Sequence, residues 1–110
     1  MRLTKTFPDH VGIATRNAAG ATTGMIYCGE FRSGQLVLKV VSLGAGAWVQ
    51  PKWQASLDRS GFGTLLSGST AVATGTYILR AIDGLGAWCR AAWNMSGTAG
   101  QFGIGFVLSE

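Results

Sequence analysis

The sequence predicts an all-β fold: a single antiparallel, jelly-roll-like β-sandwich with an extended N-terminal arm. Three observations predict it. The last third of the chain falls into short strand-like runs, 76–82, 87–95 and 101–108, separated by glycine-rich turns. Strands punctuated by turns every ~8–12 residues are the pattern of sandwiches and barrels. Glycine accounts for 17 of the 110 residues, about twice its ordinary share, with no collagen-like period. No stretch shows an apolar helical stripe bounded by capping residues.

Residues 1–21 form the arm. Phe7-Pro8-Asp9-His10 suggests a turn or an extended start, Val11-Gly12-Ile13-Ala14 is able to pair briefly, and Arg16-Asn17-Ala18-Ala19-Gly20 reads as a loop. Without alternation the segment has no core face of its own, so it is expected to lie on a partner and to be dispensable for folding. The sandwich domain spans 22–110. It opens with a run from Thr23 to Phe31, the turn Arg32-Ser33-Gly34 and a second run from Gln35 to Leu43, the mark of a hairpin with a bulge.

Ala47 to Asp58 alternates most cleanly. Val49, Pro51, Trp53, Ala55 and Leu57 fall on one face, and Gln50, Lys52, Gln54, Ser56 and Asp58 on the other. Period two assigns the first set to the core. Pro51 lacks an amide donor, which places this strand at an edge or a bulge. Asp58 to Gly63 is a turn by composition, Thr64-Leu65-Leu66 a short strand, and Ser67-Gly68-Ser69-Thr70 a loop. In the closing runs Cys89, Ala91, Trp93 and Met95 share a face opposite Trp88, Arg90, Ala92 and Asn94. Phe102, Ile104, Phe106 and Leu108 alternate with Gln101, Gly103, Gly105 and Ser109. Two glycines on one strand face point either to a neighbouring chain or aromatic ring packed closely there or to a strong local twist.

A chain of this length makes one domain. Charged residues are only 13%, about half the usual ~25%, which suits a surface covered by neighbours. The net charge of +4 favours an acidic partner surface. The basic residues stand singly, with no basic run or arginine-rich arm, which argues against nucleic acid. No apolar window is long enough to span a membrane. Cys28 and Cys89 sit inside strand-like runs and are expected to be free thiols packed as small hydrophobes, the alternative being a disulfide linking the sheets, which no apolar secretory segment after the basic start supports.

No catalytic constellation emerges. His10 is the single histidine, and its adjacency to Asp9 does not build a nucleophile–base pair. One histidine and two distant cysteines are too few for a tetrahedral zinc site. Asp58 and Asp83 belong to turn sequences and Glu110 is terminal, leaving Glu30 without a carboxylate partner for glycoside hydrolysis. The glycine turns precede strands rather than helices, so they are not phosphate loops. The chain is therefore not expected to be an enzyme, and no cofactor, metal or small-molecule substrate is expected. Trp53 and Trp93 fit core faces, whereas Trp48 and Trp88 fall on the opposite faces, as subunit contacts or as a stacking platform for sugars.

The motifs Val41-Ser42-Leu43-Gly44-Ala45-Gly46, Val49 to Ser56, Gly75-Thr76-Tyr77-Ile78-Leu79-Arg80, Trp88 to Thr98 and Phe102-Gly103-Ile104-Gly105-Phe106 form a further pattern. A glycine-tyrosine-x-x-arginine strand is followed by an arginine-x-x-tryptophan strand (Arg90 and Trp93), a serine-glycine-threonine turn (Ser96-Gly97-Thr98) and a phenylalanine-rich strand. In these residues the chain, over about 35–108, resembles small β-sandwich virion proteins of tailed bacteriophages that decorate or cement the head. Cys89 stands where such strands more often carry valine or isoleucine.

The resemblance implies a capsid decoration (cement) protein on the outer surface of the virion, assembled in the host cytoplasm, with no catalytic residues. Its expected partners are the major capsid protein and copies of itself, as a homotrimer, with no nucleic acid, membrane or small molecule. The residues expected to carry these contacts are Arg2, Lys5 and Arg16 of the arm together with Trp48, Trp88 and Arg90. The competing readings are a carbohydrate-binding head-fibre module using Trp48 and Trp88, and a neck or tail component of the virion.

Overall fold

The computed structural model describes residues 4–22, 24–82, 85–96 and 99–110. Its strands are β1 (Thr4–Arg16), β2 (Gly20–Ala21), β3 (Ile26–Tyr27), β4 (Ser33–Leu43), β5 (Val49–Ser56), β6 (Gly63–Ser67), β7 (Gly75–Ile82), β8 (Trp88–Met95) and β9 (Gly100–Ser109). One sheet has the order β1-β9-β4-β7 and the other β2-β8-β5-β6, with β3 also on β8. All pairings are antiparallel, and no helix occurs among the described residues. Successive strands cross between the two sheets of the sandwich except at β2–β3 and β5–β6. Parts of two expected turns, Asp83-Gly84 and Gly97-Thr98, lie outside the described residues, as does Arg2.

Alternation builds the core as the sequence foretells. Leu36, Leu38 and Val40 of β4 and Phe102, Ile104, Phe106 and Leu108 of β9 face Val49 and Trp53 of β5 and Cys89, Ala91 and Trp93 of β8, all buried. Trp53 meets Phe106 edge to face at 5.0 Å, and Trp93 meets Phe102 at 5.6 Å. Each large side chain so buried stabilises the fold by about 1.5–3 kcal/mol, with somewhat more for aromatic pairs in this geometry. Cys28 and Cys89 are free and buried, and the hydrogen bond between their thiols, followed by burial, holds Cys89 protonated.

Three expectations are corrected. First, the described residues of 1–21 (4–21) are not an arm outside the sandwich. β1 runs antiparallel along β9 from Thr4↔Ser109 to Arg16↔Gly100, and Val11 is buried in the core. Register shifts between Phe7 and Val11 and between Val11 and Ala14 are bulges that break the period of two, which is why no alternation shows. Second, 23–31 and 35–43 do not form a hairpin: only Ile26–Tyr27 is strand there, and it lies in the sheet opposite β4. Third, β5 is interior, between β8 and β6. Pro51 is tolerated because its imide faces the side where β6 gives out: the Pro51 carbonyl accepts from the Gly68 amide, just beyond Ser67.

The glycine face of β9 also finds its neighbour within the chain. A Cβ at Gly103 would stand 2.8 Å from the Val11 carbonyl, and one at Gly105 2.8 Å from the Pro8 carbonyl. The bulged β1 lies over these positions, an approach only glycine permits.

Candidate interaction site

On the outer face of the β8 sheet the register sets Trp88 opposite Ser56 and Tyr27, and Arg90 opposite Gln54. The Tyr27 and Trp88 rings meet edge to face at 5.2 Å. The Arg59 guanidinium stacks 4.9 Å above Trp88, and that of Arg90 lies 4.2 Å above Phe62 while its Nε donates to Gln54 Oε1 at 2.8 Å. Two arginines and three aromatics thus form one patch, with Tyr27 exposed and Trp88 and Phe62 half-buried. Ser56, outward-facing by parity, is nevertheless buried, whereas Leu57, one step past the strand end, is 83% exposed.

The loop after β5 aims Arg59. Asp58 accepts from the Ser60 and Gly61 amides and from Ser56 Oγ, at 3.0, 3.2 and 3.1 Å. These donors hold its carboxyl at a pKa of about 2. Arg59 itself takes a φ of 72°, a left-handed conformation costly for a residue with a Cβ. The Asp58-centred turn over-determines that conformation and sets the guanidinium on Trp88.

Of the residues expected to carry contacts, the structure brings only Trp88 and Arg90 together. Trp48 sits before β5 and pairs both its backbone groups with Ser96, roughly 25 Å along the strand from Trp88 at ~3.3 Å per residue. The two tryptophans therefore do not make a joint sugar platform. Lys5 is exposed on β1. Arg16 is bound by its own chain, donating to the carbonyls of Gly12, Ala14 and Phe102 and stacking over Trp93 and Phe102. Tyr27, Arg59 and Phe62 escaped sequence reasoning. Arg59 and Phe62 lie in a turn that alternation does not assign to a face, and Tyr27 lies in a segment read as one long strand.

His10 has a structural task. β2 and β3 both pair with β8, and the interval between them leaves the Ala91 amide without a strand carbonyl. That amide donates instead to His10 Nε2 at 3.3 Å, while the Ala91 carbonyl accepts from the Thr22 amide. The imidazole reaches across from β1 and packs edge to face on Phe106 at 5.1 Å. Accepting at Nε2 requires the neutral ring, and burial lowers the pKa in the same direction.

A second feature lies on the outer face of the other sheet. A groove of about 370 Å³ has Gly103 and Gly105 as its floor, Pro8, Asp9 and Ile13 as one wall, and Val37 and Lys39 as the other. It holds no nucleophile–base pair. Among the described residues no group of three His, Cys, Asp or Glu side chains gathers as metal ligands, and no helix is long and apolar enough to cross a membrane.

No family model matches the chain, and no curated protein matches it in sequence. Among solved structures, the SPBc2 prophage-derived protein YomS superposes with a TM-score of 0.64 at 13% identity, covering 100% of this chain and 96% of that one. The Eiger TNF of S. frugiperda superposes with a TM-score of 0.58 at 12% identity, covering 99% of this chain and 92% of that one. Likeness at this identity establishes a shared fold. The described residues, β1 included, make one sandwich of that fold.

Proposed function

We propose that this protein is a bacteriophage head-decoration protein that binds the assembled shell as an oligomer and stabilises it by bridging capsid subunits. The observation that supports this reading is the coincidence of motif and fold. The segments that resemble virion decoration proteins fall on the end of β4 and on β5, β7, β8 and β9, strands of both sheets. The complete sandwich in turn superposes on a prophage-derived protein along nearly its full length.

The Tyr27–Trp88–Arg59–Phe62–Arg90 patch is the contact to the major capsid protein. Trp, Tyr and Arg are the residues that anchor interfaces, and the net charge of +4 suits an acidic shell. Binding only the assembled shell stabilises it by mass action, about 3–4 kcal/mol per site at 100 to 1,000 times the dissociation constant.

The test adds purified protein to expanded heads and follows the temperature at which the shells open. A rise that depends on protein concentration and is lost in Trp88→Ala is the expected result. An unchanged opening temperature contradicts the reading.

A further inference from the structure

We propose that the chain associates with copies of itself through the outer face of the β1-β9-β4-β7 sheet, the β7 margin of one copy seating in the glycine-floored groove of the next. The inference rests on the oligomeric reading above, but not on where the oligomer is used.

The register arranges this face in rows. Ile78 stands beside Val37, which stands beside Gly105, and Arg80 stands beside Gln35, which stands beside Val107. On the β7 margin Ile78 is 48% and Ile82 80% exposed, two apolar knobs with Arg80 between them on the same strand face. On the β1 margin the groove is apolar along its floor and carries the carboxylate of Asp9 on its outer wall. One margin therefore offers projecting isoleucines around a cation, and the other a matching recess beside an acid.

A copy turned about an axis along the strands lays its β7 margin over the β1 margin of the first, so that Ile78 enters the recess at the level of Gly105, Arg80 reaches towards Asp9 from one step along the strand, and Ile82 packs just beyond the recess at the level of Ser109. Lys39 lines the inner wall of the same groove, and the incoming guanidinium approaches Asp9 from the open side. A closed pair makes this contact twice and a ring makes it once per neighbour. Either arrangement buries the exposed apolar side chains of the β7 margin and the apolar floor of the groove. An unrelated partner would have to reproduce both knobs and the cation at this spacing, whereas a second copy already carries them.

The test measures mass by native mass spectrometry and sedimentation over a concentration series. The parent protein should be oligomeric. Ile78→Glu with Ile82→Glu should be monomeric while keeping its β-sheet circular dichroism, since both side chains lie outside the core. Asp9→Arg and Arg80→Asp should each weaken association by about tenfold or more, and their combination should recover most of the loss. A monomeric parent overturns the proposal. An oligomer indifferent to the isoleucine changes, or charge variants without mutual rescue, overturns this interface and leaves the oligomeric reading standing. Head binding, measured separately, keeps the failure of the decoration reading distinguishable from both.

Discussion

Trp93 and His10 close the sandwich in different ways, and both lead to measurable consequences. Trp93 packs on Phe102, donates its Nε1 proton to the Ala18 carbonyl at 3.0 Å and is roofed by the Arg16 guanidinium. Trp93→Ala is expected to cost about 3–5 kcal/mol, a large part of the stability of a small domain. Arg90→Ala removes a hydrogen bond and a stack on an outer face, about 1 kcal/mol, so its thermal melt should lie close to that of the parent. An Arg90→Ala protein melting below Trp93→Ala would mean that the faces of β8 are assigned backwards.

His10 makes stability depend on pH. The folded state keeps the ring neutral with its pKa below 6.5, whereas the unfolded chain takes up a proton at its ordinary value. The unfolded state therefore binds more protons, and stability falls as pH drops from the unfolded pKa towards the folded one, levelling off below it. The melting temperature should decline between about pH 7 and pH 5, and His10→Gln, which still offers Ala91 an acceptor, should flatten that decline. Asp58, with its pKa lowered to about 2, loses its contribution only in the more acid range below the ordinary carboxylate value, so the two effects separate. At this scale the sequence spoke clearly about Trp93 and not about His10. Parity names a core tryptophan, but the need for an acceptor at Ala91 arises only from the interval between β2 and β3.

At the scale of elements, β1 carries the main revision. Deleting residues 4–16 strips an edge strand from β9, removes Val11 and His10 from the core and opens the outer side of Gly103 and Gly105. The truncated chain is expected to lose its cooperative thermal transition; a truncated protein that still melts sharply would restore the arm. Gly105→Ala tests the same contact more gently. Its Cβ would meet the Pro8 and Phe7 carbonyls at 2.8 and 3.0 Å, backbone atoms that yield only by moving the strand, at about 1–3 kcal/mol. The sequence left these glycines open between a close approach and a strong twist, because the bulges that bring β1 over them erase its alternation. Pro51 misled for a related reason: a missing donor demands an unpaired side for one residue only, and β6 ends there without making β5 an edge.

The whole molecule was legible in class and less so in connection. Short alternating runs without helical periodicity gave the all-β sandwich and most inward-facing residues of β4, β5, β8 and β9. Glycine turns do not reveal whether the next strand returns to the same sheet or crosses to the other, so the order of strands emerged only from the pairing. The contact surface followed the same division. Trp88 and Arg90 stood out by parity, while Arg59 and Phe62 reach them only through a turn whose geometry Asp58 sets. Together the two outer faces give the protein its proposed form, one face for its own copies and an aromatic–arginine patch for the shell. The most direct measurement is the number of copies that purified expanded heads retain as the protein is titrated onto them. The account predicts saturation at a fixed number per head, with weaker uptake by Trp88→Ala. Absent uptake, or uptake that rises without limit and ignores that substitution, would contradict it.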